Sequence, residues 1–222
     1  MVGRTIIIFF FILNSIHGIA QKHPVLYGGF EYYRHTGFEN DAFYNVNFGS
    51  QVYQWEFFAP EVGLNFSAGI LPEREFNDSP DPNAIPGALY KASFTSFSIS
   101  LAPKLKFGNE EAALVLIPEY NFGKLYAKGN YFLYNGNERY ELEEKQKYSK
   151  DQNYWSFAAG IEGQLVNVDH LWFAFYLKYT RLNSKEGIES LDFSDYDFTS
   201  GGGSKDGIGL GIRVYYDLFS AL

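Results

Sequence analysis

Between residues 93 and 122 the chain alternates apolar and polar side chains with a strict period of two. Phe97, Ile99, Leu101, Leu105 and Phe107 share one face of an extended strand. Ser96, Ser98, Ser100, Lys104 and Lys106 share the other, because successive side chains point to opposite sides of a strand. After a polar turn at 108–111, Leu114, Leu116, Tyr120 and Phe122 alternate with Glu119 and Asn121. This is a β-hairpin with one greasy face and one polar, charged face.

The same alternation recurs along the chain and predicts about eight strands, each close to the ten residues that a tilted strand needs to cross a bilayer. The first covers 25–33. The second runs over 43–57, its phase lost near Gln54, Trp55 and Glu56, and a tight connection follows at Ala59 and Pro60. The third alternates Val62, Leu64, Phe66, Ala68 and Ile70 with Glu61, Gly63, Asn65, Ser67 and Gly69. The hairpin supplies the fourth and fifth strands, and the last three begin near Trp155, Leu171 and Ile208. Polar stretches at 72–87, 130–153 and 183–206 read as long loops. Tight links follow strands two, four and six, and long ones follow three, five and seven; the first link is short too, so the asymmetry holds at three of the four outer positions. In an up-and-down barrel this places the tight turns at one end and the long loops at the other.

Composition supports an all-β chain: aromatic residues make up 19% and there are 22 glycines, types suited to strands and the tight places between them. The absence of cysteine removes disulfides and thiolate metal sites. A net charge of −8 without a basic run argues against a nucleic-acid partner. Residues 1–20 read as a secretory signal peptide, with Arg4 ahead of an apolar run and Gly18, Ile19 and Ala20 before Gln21. Residues 21–222 then form a single barrel domain, whose charge falls to about −9 with the loss of Arg4.

Two closed architectures suit such strands: a soluble lipocalin-like barrel with its apolar face inward, and a membrane barrel with that face outward. An eight-stranded barrel has little interior room. Phe, Leu, Ile, Tyr and Val at every inward position would overfill it, whereas the Gly, Ser, Ala and Asn of the polar faces fit. The apolar face is therefore expected to meet lipid. The inward face then holds Glu31, Glu61, Glu119, Glu162 and Asp217 with Lys104, Lys106, Lys178 and Arg213, a near balance expected to pair across the lumen and close it. Aromatic girdles are expected at both interfaces: Trp55, Phe57, Phe107, Tyr216 and Phe219 at the tight-turn end, and Tyr126, Tyr131 and Trp155 at the long-loop end. Pro103 and Pro118 stand nearly opposite one another on the outward face, where a local bulge would accommodate them.

The chain resembles the small outer-membrane β-barrels of Gram-negative bacteria, of the OmpA, OmpX and PorT-like kind and with a Bacteroidota flavour. The resemblance lies in the signal end Gly18-Ile19-Ala20-Gln21-Lys22, the eight alternating strands, and the final strand at 207–219. In that strand Gly211, Val214 and Tyr216 carry the spacing of a C-terminal assembly signal, although Ser220, Ala221 and Leu222 follow Phe219. It implies outer-membrane lipid and the barrel-assembly machinery as partners. Barrel enzymes of similar architecture place a His with Ser and an acid near the outer rim. Here only His35 could face that side, and no motif marks partners for it. The acidic residues Asp192, Asp195 and Asp197 lack the spacing of a calcium loop. The reading is a non-enzymatic outer-membrane barrel without cofactor or metal, with a mostly filled lumen and an interaction or structural role through its loops. The alternatives are a narrow small-solute porin, a secretion-accessory barrel and a soluble exported binding barrel.

Overall fold

The computed structural model describes residues 24–35, 42–77, 81, 84–109, 111–137, 139–164, 168, 170–196 and 198–218. The expected signal peptide, Phe219 and Asp197 lie outside them. The strands are β1 (Val25–His35), β2 (Ala42–Gln51), β3 (Phe58–Ile70), β4 (Arg74–Phe76), β5 (Ala88–Gly108), β6 (Ala112–Tyr134), β7 (Tyr140–Gln164) and β8 (Leu171–Thr180). Helix α1 (Ser184–Glu189), β9 (Asp192–Phe193), β10 (Phe198–Thr199) and β11 (Gly207–Asp217) complete the chain.

Eight strands, β1, β2, β3, β5, β6, β7, β8 and β11, close into an antiparallel ring, with β1 pairing β11 and β3 pairing β5. The whole ring obeys the alternation found in the hairpin. Outward positions such as Phe30, Phe48, Leu64, Ile99, Phe122, Phe157, Phe175 and Leu210 are exposed, while their neighbours along each strand are buried inward. A continuous band of exposed apolar side chains of this extent is stable only against another apolar medium. On the longest strands the band runs over 97–107 in β5, 114–122 in β6 and 155–163 in β7.

Three features depart from the sequence reading. First, 130–153 is not a loop. β5, β6 and β7 are 21, 23 and 25 residues long, about twice the expected length, and only 135–139 connects β6 to β7. Above the apolar band the loop-end parts of these strands need no greasy outer face, so Lys, Glu, Gln and Asn decorate them and they read as loop. Inward positions still alternate: Leu125, Ala127, Gly129 and Tyr131 point into the mouth. Second, β2 stops at Gln51, and Ala59 and Pro60 belong to β3. The turn is made instead by Trp55 and Phe58, whose backbones exchange hydrogen bonds of 2.8 Å, with Glu56 in the left-handed region at φ 48°. Third, the two other long links are structured: β4 pairs with β5, and the 181–206 link holds α1 and the β9–β10 ribbon.

The prolines form a row. Pro60 of β3 pairs with Pro103 of β5, and the β5–β6 register puts Pro103 opposite Pro118. No bulge intervenes, because the register is the same at Leu101↔Tyr120 and at Leu105↔Leu116. The ladder is simply interrupted between those pairs. The Lys106 N–H donates to the Phe57 carbonyl at 2.7 Å, so alternation along β5 turns the Pro103 nitrogen towards β6. Both missing donors therefore fall in the same gap.

Candidate functional site

The lumen has two storeys. Towards the turn end, all eight ring strands contribute to one polar network. Arg213 of β11, 1% exposed, donates to Glu61 of β3 at 2.7 Å and to Glu119 of β6 at 3.3 Å, and Glu31 of β1 lies 3.8 Å from it. Lys178 of β8 bridges Glu31 and Glu119 at 3.1 and 3.2 Å. Lys104 of β5 reaches Glu61 at 3.2 Å and Glu162 of β7 at 2.5 Å, and Lys106 donates to Glu162 at 2.8 Å. Four carboxylates thus meet four cations, and each carboxylate touches two of them. Phenols add to this. The Tyr215 hydroxyl donates to Glu61 at 2.9 Å, while Tyr33 and Tyr176 donate to Glu31 at 2.6 and 2.8 Å.

Strand β2 enters through Asn45, whose amide donates to Glu31 at 2.8 Å, and through Gln51, which accepts from Lys104 at 3.4 Å. A relay of amides continues the network: Asn65 donates to Asn121 at 2.9 Å, and Asn121 to Glu119 at 2.9 Å. Aromatic faces close the remaining sides of the cations. Lys104 lies 3.9 Å from the centre of the Tyr215 ring, and the Arg213 guanidinium lies 4.7 Å from that of Tyr27. Charges removed from water need this degree of neutralisation, because each uncompensated one costs several kcal/mol.

Of the nine charges expected on the inward face, eight are brought together in this network. Asp217 shares the face but ends β11 at the turn-end rim, half-buried, with its backbone N–H on the His170 carbonyl at 3.0 Å. The aromatic positions divide. Trp55, Phe57, Phe107, Tyr126, Trp155 and Tyr216 are outward and exposed. Tyr131 is not part of a girdle: it points inward, is buried, and packs against Tyr196 at 4.3 Å between ring centres.

The second storey, towards the loop end, was not legible in the alternation. Tyr33, Phe43, Tyr90, Phe94, Tyr131 and Tyr154 line it from the strands. The 181–206 link folds down into it as a cap and buries Leu182, Ile188, Leu191 and Phe193 against them. The cap is locally well formed. Asn183 caps α1 by accepting from the Glu186 N–H at 3.3 Å, and the buried Ser200 hydroxyl contacts the carbonyls of Ile188 and Leu191 at 2.8 and 2.6 Å. The interior thus holds more large rings than the Gly, Ser, Ala and Asn of the polar faces suggested. They fit because inward glycines face them: a methyl group at Gly211 would overlap the Tyr176 ring, at Gly63 the Tyr27 hydroxyl, and at Gly69 the Phe94 ring. Inward Tyr27, Tyr176 and Tyr215, each at a position of polar phase in the sequence, were the available signal.

His35 is buried in this apolar storey, its Nδ1 3.3 Å from the Asp206 carbonyl oxygen and its ring 5.3 Å from that of Phe43. Among the described residues no Ser hydroxyl or carboxylate is placed to work with it as a nucleophile–base pair. Asp192 and Asp195 are exposed, and among the described residues no three His, Asp or Glu side chains converge on a metal position.

No protein-family model matches the sequence, and no curated protein matches it. Several solved structures are similar in fold. One is Ail, the attachment invasion locus protein of Yersinia pestis, at 13% identity over 88% of this chain and 99% of that one, with a TM-score of 0.41. Another is Neisserial surface protein A, at 8% identity over 88% and 96%, with a TM-score of 0.41. A third is a major outer membrane protein from Thermus thermophilus, at 10% identity over 86% and 98%, with a TM-score of 0.47.

Proposed function

We propose that this chain is an exported outer-membrane barrel whose lumen is closed and whose role is interaction at the cell surface through its raised loop end. The observation that carries this reading is the two-storey filling of the barrel. The paired charges close the turn-end half of the lumen, and the cap closes the loop-end half. A chain built to pass solutes would keep an open, water-filled path through its lumen. This one neutralises its charges against each other and buries a helix and a ribbon above them.

The lipid-facing band supports insertion, residues 1–20 would direct export, and the barrel-assembly machinery would insert the folded ring. The short turns at the 52–57 and 109–111 links would then face the periplasm, and the β5–β6–β7 projection the exterior. What remains exposed for recognition is the projection and the upper surface of the cap. Planar-bilayer conductance tests the closed lumen: the purified protein is expected to give no large steady channels. Steady conductance that changes on Lys104→Gln or Glu119→Gln would replace this reading with that of a narrow porin.

A further inference from the structure

Above the apolar band, the outward face of the projection is unlike the rest of this acidic chain. Lys128 of β6 stands directly opposite Lys147 of β7, and the next cross-strand row sets Lys91, Asn130 and Lys145 side by side. Like charges directly opposite each other destabilise a sheet. Lys91 is answered by Glu73 at 2.6 Å, and Lys124, nearest the band, pairs across the strands with Asp151. No ion pair with a described acid answers Lys128, Lys145 or Lys147. On the band side of the Lys128–Lys147 row, between it and the row of Thr95, Tyr126 and Ser149, lies a groove of about 400 Å³. Lys128 and Lys147 line it together with Ser93, Thr95, Tyr126 and Ser149, so that ammonium and hydroxyl donors surround it. The five lysines are spread over the sequence from 91 to 147 and form no basic run. Only the doubled length of β5, β6 and β7 assembles them.

Their height identifies what they meet. Phe97 pairs with Lys124, so the basic face begins in the row where the apolar band ends, on the same side of the same strands. Lys128 lies further along β6, about 20 Å beyond Phe122 at 3.4 Å per residue, or roughly 14 Å above the hydrocarbon for a strand tilted near 45°. Lys124 is then at headgroup level and Lys128, Lys145 and Lys147 stand above it. We infer that this face binds a lipid of the outer leaflet whose large headgroup carries several phosphates, seated with its chains on the Phe97–Phe122 band and its phosphates on the three unanswered lysines. The inference rests on the membrane placement given under Proposed function.

The test uses the full chain in phosphatidylcholine nanodiscs with and without a minor fraction of rough lipopolysaccharide, whose core sugars carry phosphates. Lipid phosphate retained per protein is measured after detergent extraction and gel filtration. The wild type is expected to retain the lipopolysaccharide, and a Lys128→Gln, Lys145→Gln, Lys147→Gln variant to lose about ten-fold or more of it. A Lys185→Gln, Lys205→Gln variant of the cap should match the wild type. Equal retention by the triple variant overturns the proposal. So does capture of soluble inorganic polyphosphate by the wild type without any preference for the lipid. Gel migration with and without boiling is read on each sample. A wild type that shifts on boiling but retains no lipid sinks the lysine site and leaves the barrel standing. A wild type that does not shift sinks the membrane placement and the site with it.

Discussion

At the scale of single residues, Arg213 holds the network together. It reaches three carboxylates from three strands, and its guanidinium packs on two tyrosine rings. Replacing it by Met removes the cation and leaves the buried Glu61 and Glu119 with one cation each, Lys104 and Lys178. Arg213→Met is expected to cost about 3–5 kcal/mol, read as a lowered midpoint of urea unfolding. Adding Glu61→Gln should recover part of that loss, since the two residues share one contact. Tyr90, in the cap's apolar core beyond the band, gives a pH signature. Burial pushes its phenol from the ordinary 10.0 up to about 12. A phenol that ionises later in the folded than in the unfolded chain stabilises the fold fully below pH 10 and loses that contribution as pH rises to about 12. Protease cleavage within 181–206 should accordingly rise over that interval, and a Tyr90→Phe variant should lack the step.

At the scale of elements, legibility in the sequence followed the environment of each strand. Where one face meets an apolar medium and the other the lumen, as in β3 with Val62, Leu64 and Phe66 against Glu61, Gly63 and Asn65, the period of two is plain. The upper halves of β6 and β7 have water on one side and the cap on the other, so polar residues occupy the outer face and the pattern fades. The eight paired charges were readable as inward positions, because their phase is set by the same alternation. The aromatic storey was not, because the residues that fill it from 181–206 come from a link without strand periodicity. The proline row belongs to this scale as well. Pro103 and Pro118 leave two carbonyls of the β5–β6 ladder without donors. Pro118→Val restores an N–H facing the Pro103 carbonyl, and is expected to stabilise the barrel by about 0.5–1.5 kcal/mol. Urea midpoints with an unchanged slope would verify it.

At the scale of the whole molecule, the ring couples distant parts of the chain. The lumen network takes Glu31 from the first strand, Glu119 from the middle of the sequence and Arg213 from the last strand. Removing 207–222 therefore deletes more than one strand's worth of contacts: it opens the ring on both sides and leaves Glu61 and Glu119 without their guanidinium. Such a truncation is expected to abolish the folded, boiling-sensitive gel species entirely rather than lower its stability by an increment.

The β1–β11 pairing also sets an order of events in time. Val25 must find Asp217 and His35 must find Gly207, across nearly the full length of the chain. Closure of so long a loop is slow, and it cannot begin before β11 has been made. Until that moment β1 and the growing end each present an unpaired edge beside greasy side chains, the condition under which chains associate wrongly. Of the ring strands β1 therefore waits longest for its partner, and its survival in the interval depends on being kept extended and apart from its own kind.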